Sequence, residues 1–228
     1  MTGKIDQKLN STERRSQIAQ MARENGRVLV SDLAKKYHLT ETSIRRDLMI
    51  LEREQRIKRV HGGADSIPGN LRIDTFAEKE KLQIQEKKRI GKVAAQMINR
   101  GDIILLASGT TTLQIVRYIQ PELRQNNLIT LVTTSLPVAQ EVLAWPSPNL
   151  TILGGIYLPD YQATAGPQAI NLLKDITADI AFMGADGLTL EGGATTANVL
   201  IAEVDCFMAE RARKKVLVVD SSKIGQAG

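Results

Sequence analysis

Thr40-Glu41-Thr42-Ser43-Ile44-Arg45-Arg46-Asp47-Leu48-Met49-Ile50-Leu51-Glu52 decides the first part of the fold. Ile44, Leu48 and Leu51 stand at i, i+4 and i+7, so they line one buried stripe of a helix. Thr42, Arg45, Arg46 and Met49 stand at i, i+3, i+4 and i+7 on a second face, polar and basic near the helix start. Thr40 supplies an N-terminal cap, and Glu41 puts a negative charge where the helix dipole favours it. In a helix-turn-helix the N-terminal part of such a helix enters the major groove. Asp47 either pairs with Arg45 or Arg46 and holds it, or is simply exposed.

The flanking sequence supplies the rest of that motif. Ser11 or Thr12 caps a helix expected over Glu13–Asn25, with Ile18, Ala19, Met21 and Ala22 apolar and Gly26 as its stop. Arg27-Val28-Leu29-Val30 is strand-like, and Ser31 caps a short helix, Asp32–Tyr37, that buries Leu33 and Ala34. His38-Leu39 is the tight connection to the helix above. Downstream, Arg56-Ile57-Lys58-Arg59-Val60-His61-Gly62-Gly63 alternates like a strand, with Gly62-Gly63 as a hairpin turn. That is a basic wing. Arg45 and Arg46 are candidates for guanine edges, and Ser31, Thr40, Thr42, Ser43, Lys58, Arg59 and His61 for backbone or neighbouring contacts. The competing possibility is a small helical bundle whose arginines only solvate a surface.

Charge agrees with the motif. The 228-residue chain carries a net +5, and all of it lies in residues 1–75, with 15 Lys/Arg against 10 Asp/Glu; the remainder is neutral. Localised positive charge suits a polyanion. One cysteine, Cys206, excludes an internal disulfide, and with only His38 and His61 no metal site is expected. No cofactor is called for. No apolar run is long enough to span a bilayer, and the N-terminus has no apolar leader, so a cytoplasmic protein without a membrane partner is expected.

The run from Glu13-Arg14-Arg15 through Leu33-Ala34 and Ser43-Ile44-Arg45-Arg46-Asp47-Leu48 to Arg59-Val60-His61-Gly62-Gly63-Ala64 resembles the N-terminal signature of the DeoR family of bacterial regulators. We place a winged helix-turn-helix domain at 11–66, a linker with a connecting helix at 67–100, and a second domain at 101–228. The break falls at Asp65-Ser66-Ile67-Pro68-Gly69-Asn70, and a long charged helix is expected over Glu78–Asn99 with Ile90, Val93, Ala94, Met97 and Ile98 as its stripe. Its first half, EKEKLQIQEKKR, reads as a solvated connector or a subunit contact.

The second domain alternates apolar runs (102–107, 128–133, 150–153, 180–183 and 216–219) with helical segments (111–119, 137–143, 167–173 and 199–213). That pattern gives an α/β fold with a mostly parallel sheet covered on both faces. Ligands of such sheets sit at the carboxyl ends of the strands. There, Ser108-Gly109-Thr110-Thr111-Thr112 opens a helix whose free amides and hydroxyls suit a phosphate, or form an ordinary polar cap. Ser135, Gly154 and Gly155 end the next strands. Asp186 binds sugar hydroxyls or stabilises a turn; Lys223 neutralises a phosphate or is a loop cation. Cys206 and Trp145 read as packing residues.

This half resembles the DeoR effector domain, related in fold to ribose-5-phosphate isomerase A. The isomerases' Gly-Ala-Asp-Glu and Lys-Gly-Gly-Gly stretches stand here as Gly184-Ala185-Asp186-Gly187 and Glu191-Gly192-Gly193-Ala194. The resemblance therefore implies a site that holds a sugar phosphate without turning it over. It implies a homo-oligomeric repressor of a carbohydrate-catabolism operon, bound to double-stranded operator DNA and released by a phosphorylated sugar or sugar alcohol. The alternatives are an isomerase-like enzyme and an activator with the same domains. Family members usually continue with a further helix and strand, so the chain reads as short at its C-terminus.

Overall fold

The computed structural model describes residues 10–67 and 75–226. The chain divides into two compact units, Met1–Arg72 and Ile73–Gly228. Pro68-Gly69-Asn70 of the expected break lies outside the described residues.

The first unit runs α1 (Ser11–Asn25), β1 (Arg27–Leu29), α2 (Val30–Tyr37), α3 (Glu41–Arg53), β2 (Lys58–Val60) and β3 (Gly63–Asp65). Neither Ser11 nor Thr12 caps α1. Asn10 does, because its Oδ1 accepts from the Thr12 and Glu13 amides at 3.0 and 2.9 Å while Glu13 reaches back to the Asn10 amide. Helix α2 starts earlier than expected, at Val30, with no side-chain cap, so Ser31 lies in its first turn. His38 turns the chain in the left-handed region (φ 51°), and Thr40 caps α3 as expected. Ile18, Leu33, Ile44, Leu48, Leu51 and Ile57 close the core of this unit. The strands form an antiparallel sheet in the order β1-β3-β2. The wing turn falls on His61-Gly62, and Gly63 already belongs to β3.

The second unit runs α4 (Phe76–Lys81), α5 (Ile84–Ala95), β4 (Ile103–Leu106), α6 (Thr110–Tyr118), β5 (Thr130–Thr133), α7 (Leu136–Leu143), β6 (Leu150–Ile152), β7 (Ile156–Leu158), β8 (Ala163–Ala165), α8 (Pro167–Leu173), β9 (Ala178–Met183), β10 (Gly187–Thr189), β11 (Gly193–Thr195), α9 (Val199–Arg211) and β12 (Ala212–Leu217). Five strands form a parallel sheet in the order β12-β9-β4-β5-β6. Successive strand residues face opposite sides. Ile104 and Leu106 join Phe182, Leu131 and Trp145 in one core, while Leu105 and Ala107 join Val132, Ala181 and Met183 in the other. Two hairpins, β7–β8 and β10–β11, were not legible as strands.

The single helix expected over 78–99 is two helices. Gln83 takes a left-handed conformation (φ 50°) and separates α4 from α5. Neither is a free connector, because Phe76, Ala94, Ala95 and Ile98 are buried in the core of this unit; Val93, assigned to the stripe, is exposed. Gly91 of α5 lies against the backbone of Gln114 of α6, where an added Cβ would stand 2.7 Å from the Gln114 carbonyl carbon. The two helices therefore touch along their main chains. Strand β12 starts at Ala212, earlier than the expected 216, and shortens α9 to Arg211.

Candidate functional site

In the first unit the second face of α3 is open. Thr42, Arg45, Arg46 and Met49 are exposed, while Ile44, Asp47, Leu48 and Leu51 are buried. Arg45 pairs with Glu41 one turn earlier, at 2.9 Å. The Thr40 hydroxyl accepts from the Ser43 amide at 3.3 Å. Ser31, Lys58, Arg59 and His61 are exposed as well, and Arg59 lies 3.6 Å from Glu52. Asp47 does neither of the things expected of it. Its carboxylate is buried and accepts from Arg14 Nε of α1 at 2.7 Å, so it ties α1 to α3. Removing Asp47 leaves the largely buried Arg14 guanidinium uncompensated. Asp47→Ala is expected to destabilise this unit by roughly 3 kcal/mol, read as a lower denaturation midpoint, and Asp47→Asn by less.

In the second unit the strand order reverses direction between β4 and β9. Chains leaving β4 run outward through β5 to β6, and those leaving β9 run outward to β12. A crevice opens at such a switch point, at the carboxyl ends of the strands. Ser108-Gly109-Thr110 follows β4 and Gly184-Ala185-Asp186 follows β9, so both loops lie at that switch point. No side chain caps α6. The Ser108 Oγ beside that helix start is buried and has no hydrogen-bond partner.

Cations arrive from helices read as a connector. Lys79 of α4 donates to Asp186 Oδ1 at 2.7 Å, and its ammonium lies 5.2 Å from the centre of the Tyr161 ring. Asp186 Oδ2 accepts from Thr196 Oγ1 at 2.8 Å. Burial pushes Asp186 up, but Lys79 and these hydrogen bonds outweigh it and hold the carboxyl below its usual range. Lys87 of α5 is 5% exposed, and its Nζ donates to the Lys79 carbonyl at 2.5 Å. Burial brings its ammonium down to about 8; Lys223 and Lys79 push the same way, against Asp220 and Glu80. Lys223 sits in the short turn Ser221–Lys223 after β12, where Asp220 accepts from the Ser222 amide. On α9, burial, with Asp186 nearby, pushes the Asp205 carboxyl up to about 8.

The structure thus brings Ser108, Gly109, Thr110, Asp186 and Lys223 to the ends of the adjacent strands β4, β9 and β12. Thr112 departs from expectation: it is fully buried, and its hydroxyl donates to the carbonyls of Ala107 and Gly109 instead of facing a ligand. Thr111 is buried in the first turn of α6. Ser135 is fully buried and caps α7 by accepting from the Val138 amide. Gly155 (φ 152°) has the Ala165 carbonyl where a Cβ would stand, at 2.4 Å, so it serves the close approach of the β7–β8 hairpin; Gly154 beside it is exposed. Cys206 is exposed rather than packed, whereas Trp145 is buried with Arg124 over its ring at 5.4 Å. Sequence reasoning missed Lys79 and Lys87. The apolar positions that flank them, Phe76 and Ala94, were the available signal.

The first unit is a helix-turn-helix with an exposed basic face, and the second is a parallel-sheet unit with polar loops at its switch point. Residues 14–69 match the family model of the DeoR-like helix-turn-helix domain, and residues 82–228 match that of the DeoR C terminal sensor domain. The chain belongs to the DeoR family. It is 30% identical over 213 residues to the HTH-type transcriptional regulator GolR of Listeria innocua serovar 6a, covering 93% of this chain and 82% of GolR. It is 29% identical over 216 residues to the lactose phosphotransferase system repressor of Lactococcus lactis subsp. lactis, covering 94% of this chain and 84% of that repressor. Among solved structures it is similar to ribose 5-phosphate isomerase A of Methanocaldococcus jannaschii, at a TM-score of 0.45 and 20% identity, covering 62% of this chain and 54% of that one. As a DeoR-family protein it is a DNA-binding transcriptional regulator with a sensor domain, and not an enzyme. Among the described residues, no helix is long and apolar enough to cross a membrane.

Proposed function

We propose that this DeoR-family regulator is a cytoplasmic, homo-oligomeric repressor of a carbohydrate-catabolism operon. In this proposal the exposed face of α3 and the basic wing hold operator DNA, with Arg45 and Arg46 at base edges. A phosphorylated sugar or sugar alcohol binds the crevice of the second unit and lowers operator affinity, and by linkage the operator lowers affinity for the sugar equally. The observation that carries this is the junction of an uncapped helix start, a buried Ser108 hydroxyl without a partner, Lys79 and Lys223 acting on Asp186, and the buried Lys87 held to the Lys79 carbonyl. The helix start and lysines suit a phosphate, and Asp186 suits the hydroxyls of a sugar. The name of the lactose phosphotransferase system repressor, which pairs a sugar with a phosphotransferase system, supports the same class of ligand.

The test is a thermal-shift screen of the full chain against sugar phosphates and their unphosphorylated parents. A phosphorylated member that raises the melting temperature, and weakens DNA binding in a second assay, supports the proposal. Stabilisation by the parent sugars alone sinks it. Lys87 adds a pH signature. A bound anion favours the charged ammonium, so binding takes up a proton above about pH 8. Affinity for the phosphorylated ligand is expected to fall as pH rises through 8, because the anion's charged partner is lost. Lys87→Met is expected to flatten that dependence in a calorimetric titration.

A further inference from the structure

Helix α4 is fixed by several contacts. Its first turn is closed by a capping box between Thr75 and Glu78, its Phe76 amide donates to the Asp160 carbonyl at 2.7 Å, and Phe76 is buried. Glu80 meets Arg117 of α6 at 3.1 Å, and Arg117 also holds Glu141 of α7. Two further contacts are of another kind, because both use groups that an anion in the crevice would claim. They are Lys79 Nζ to Asp186 and Lys87 Nζ to the Lys79 carbonyl. The side chain of Lys79 and its backbone are thus both held from the crevice. The second unit starts in sequence at Ile73, and among the described residues α4 (Phe76–Lys81) is its first helix.

We propose that these two contacts form a latch which the ligand opens: a phosphorylated sugar draws off the two ammonium groups and occupies Asp186, α4 loosens, and DNA affinity falls. The proposal rests on the ligand class given above. A ligand shifts an equilibrium only by what it does differently in the two states, and competition for two ammonium groups is such a difference. The DNA consequence rests on chain connectivity and on the homo-oligomer proposed above. Two DNA-binding units on one operator need a fixed spacing, and loosening the helix that anchors each link reduces the effective concentration of the second unit.

The latch makes a prediction without any ligand. On a DNA fragment that the wild-type full chain binds specifically, Lys79→Met and Asp186→Asn are each expected to bind about tenfold more weakly. Affinity of ligand-free Lys79→Met within about twofold of wild type overturns the latch, even if its melting temperature drops or its ligand response is lost. Should Lys79→Met fail to fold, hydrogen exchange in the wild type decides. Residues 76–82 are expected to exchange faster when the phosphorylated sugar from the screen, or inorganic phosphate as a minimal probe, is added. Unchanged or slower exchange overturns the proposal. The two proposals fail separately. A wild type indifferent to every sugar phosphate beside a weakened Lys79→Met removes the ligand class and the opening step, and leaves only the Lys79–Asp186 contact as a support of DNA binding. A responsive wild type beside an unaffected Lys79→Met keeps the ligand class and removes the latch.

Discussion

The double variant Arg45→Ala/Arg46→Ala is expected to lose specific DNA binding by about a hundredfold or more, with its fold intact. A well-placed arginine on a base edge contributes about 1–3 kcal/mol of discrimination, and tenfold in affinity is about 1.4 kcal/mol. The fold is spared because both side chains are exposed. Arg45 touches only Glu41 on its own helix, an interaction of about 0.3–0.5 kcal/mol at most. The measurement is fluorescence anisotropy on specific and scrambled duplexes at moderate salt. Specific binding should collapse to the scrambled level while weak phosphate-driven binding persists. Lys58→Ala in the wing provides the contrast. It should weaken both duplexes alike and reduce the slope of affinity against salt. An unchanged ratio of specific to scrambled binding in the double arginine variant would remove α3 as the reading helix.

Thr110→Asp is expected to abolish the response to a phosphorylated ligand, by about tenfold or more in affinity, in a protein that still folds. Thr110 is the first residue of α6, is buried, and lies beside the Ser108 hydroxyl. A carboxylate there sits on the positive end of the helix dipole, which is worth about 0.3–1 kcal/mol in its favour. The dipole offsets only part of the cost of burying that carboxylate, so a modest fall in melting temperature is expected. The same carboxylate stands where the phosphate is proposed to bind and repels it, and like charges held close in a dry crevice are costly. Isothermal titration and DNA release by ligand both read the outcome. A normal response in a well-folded Thr110→Asp protein would mean that the phosphate binds elsewhere.

The sequence makes some of this plain and hides the rest for physical reasons. Helix α3 is legible because burial acts on a period: Ile44, Leu48 and Leu51 can only share a face if the segment is helical. The strands of the parallel sheet are legible because both faces are covered, which leaves unbroken apolar runs such as Ile103–Leu106. Lys79 and Lys87 are not legible. In EKEKLQIQEKKR a lysine that solvates a surface and one that is buried under a loop look alike until the chain closes on Asp186, 107 residues beyond Lys79. Asp47 fails in the same way. Its neighbours in sequence, Arg45 and Arg46, are the natural partners by proximity in the chain, but they lie on the exposed face of α3, and the partner is Arg14, 33 residues earlier. The β7–β8 and β10–β11 hairpins escape because three-residue strands are too short to show alternation.

The main-chain contact between Gly91 and Gln114 has a consequence for where motion resides. At Gly91 only the main chain and Cβ of Gln114 face α5, so the two helices pack there with no flexible side chain to compress. Lys87 belongs to one of these helices and Thr110 to the other, so this contact limits how far their separation can change. In the proposal above, the phosphate end of the site then gauges the size of the anion. Adjustment to different sugars falls to the parts outside that pair of helices, α4 and the β10–β11 hairpin that follows Asp186. A family that keeps the gauge and varies those two parts can change its sugar without rebuilding its anion site.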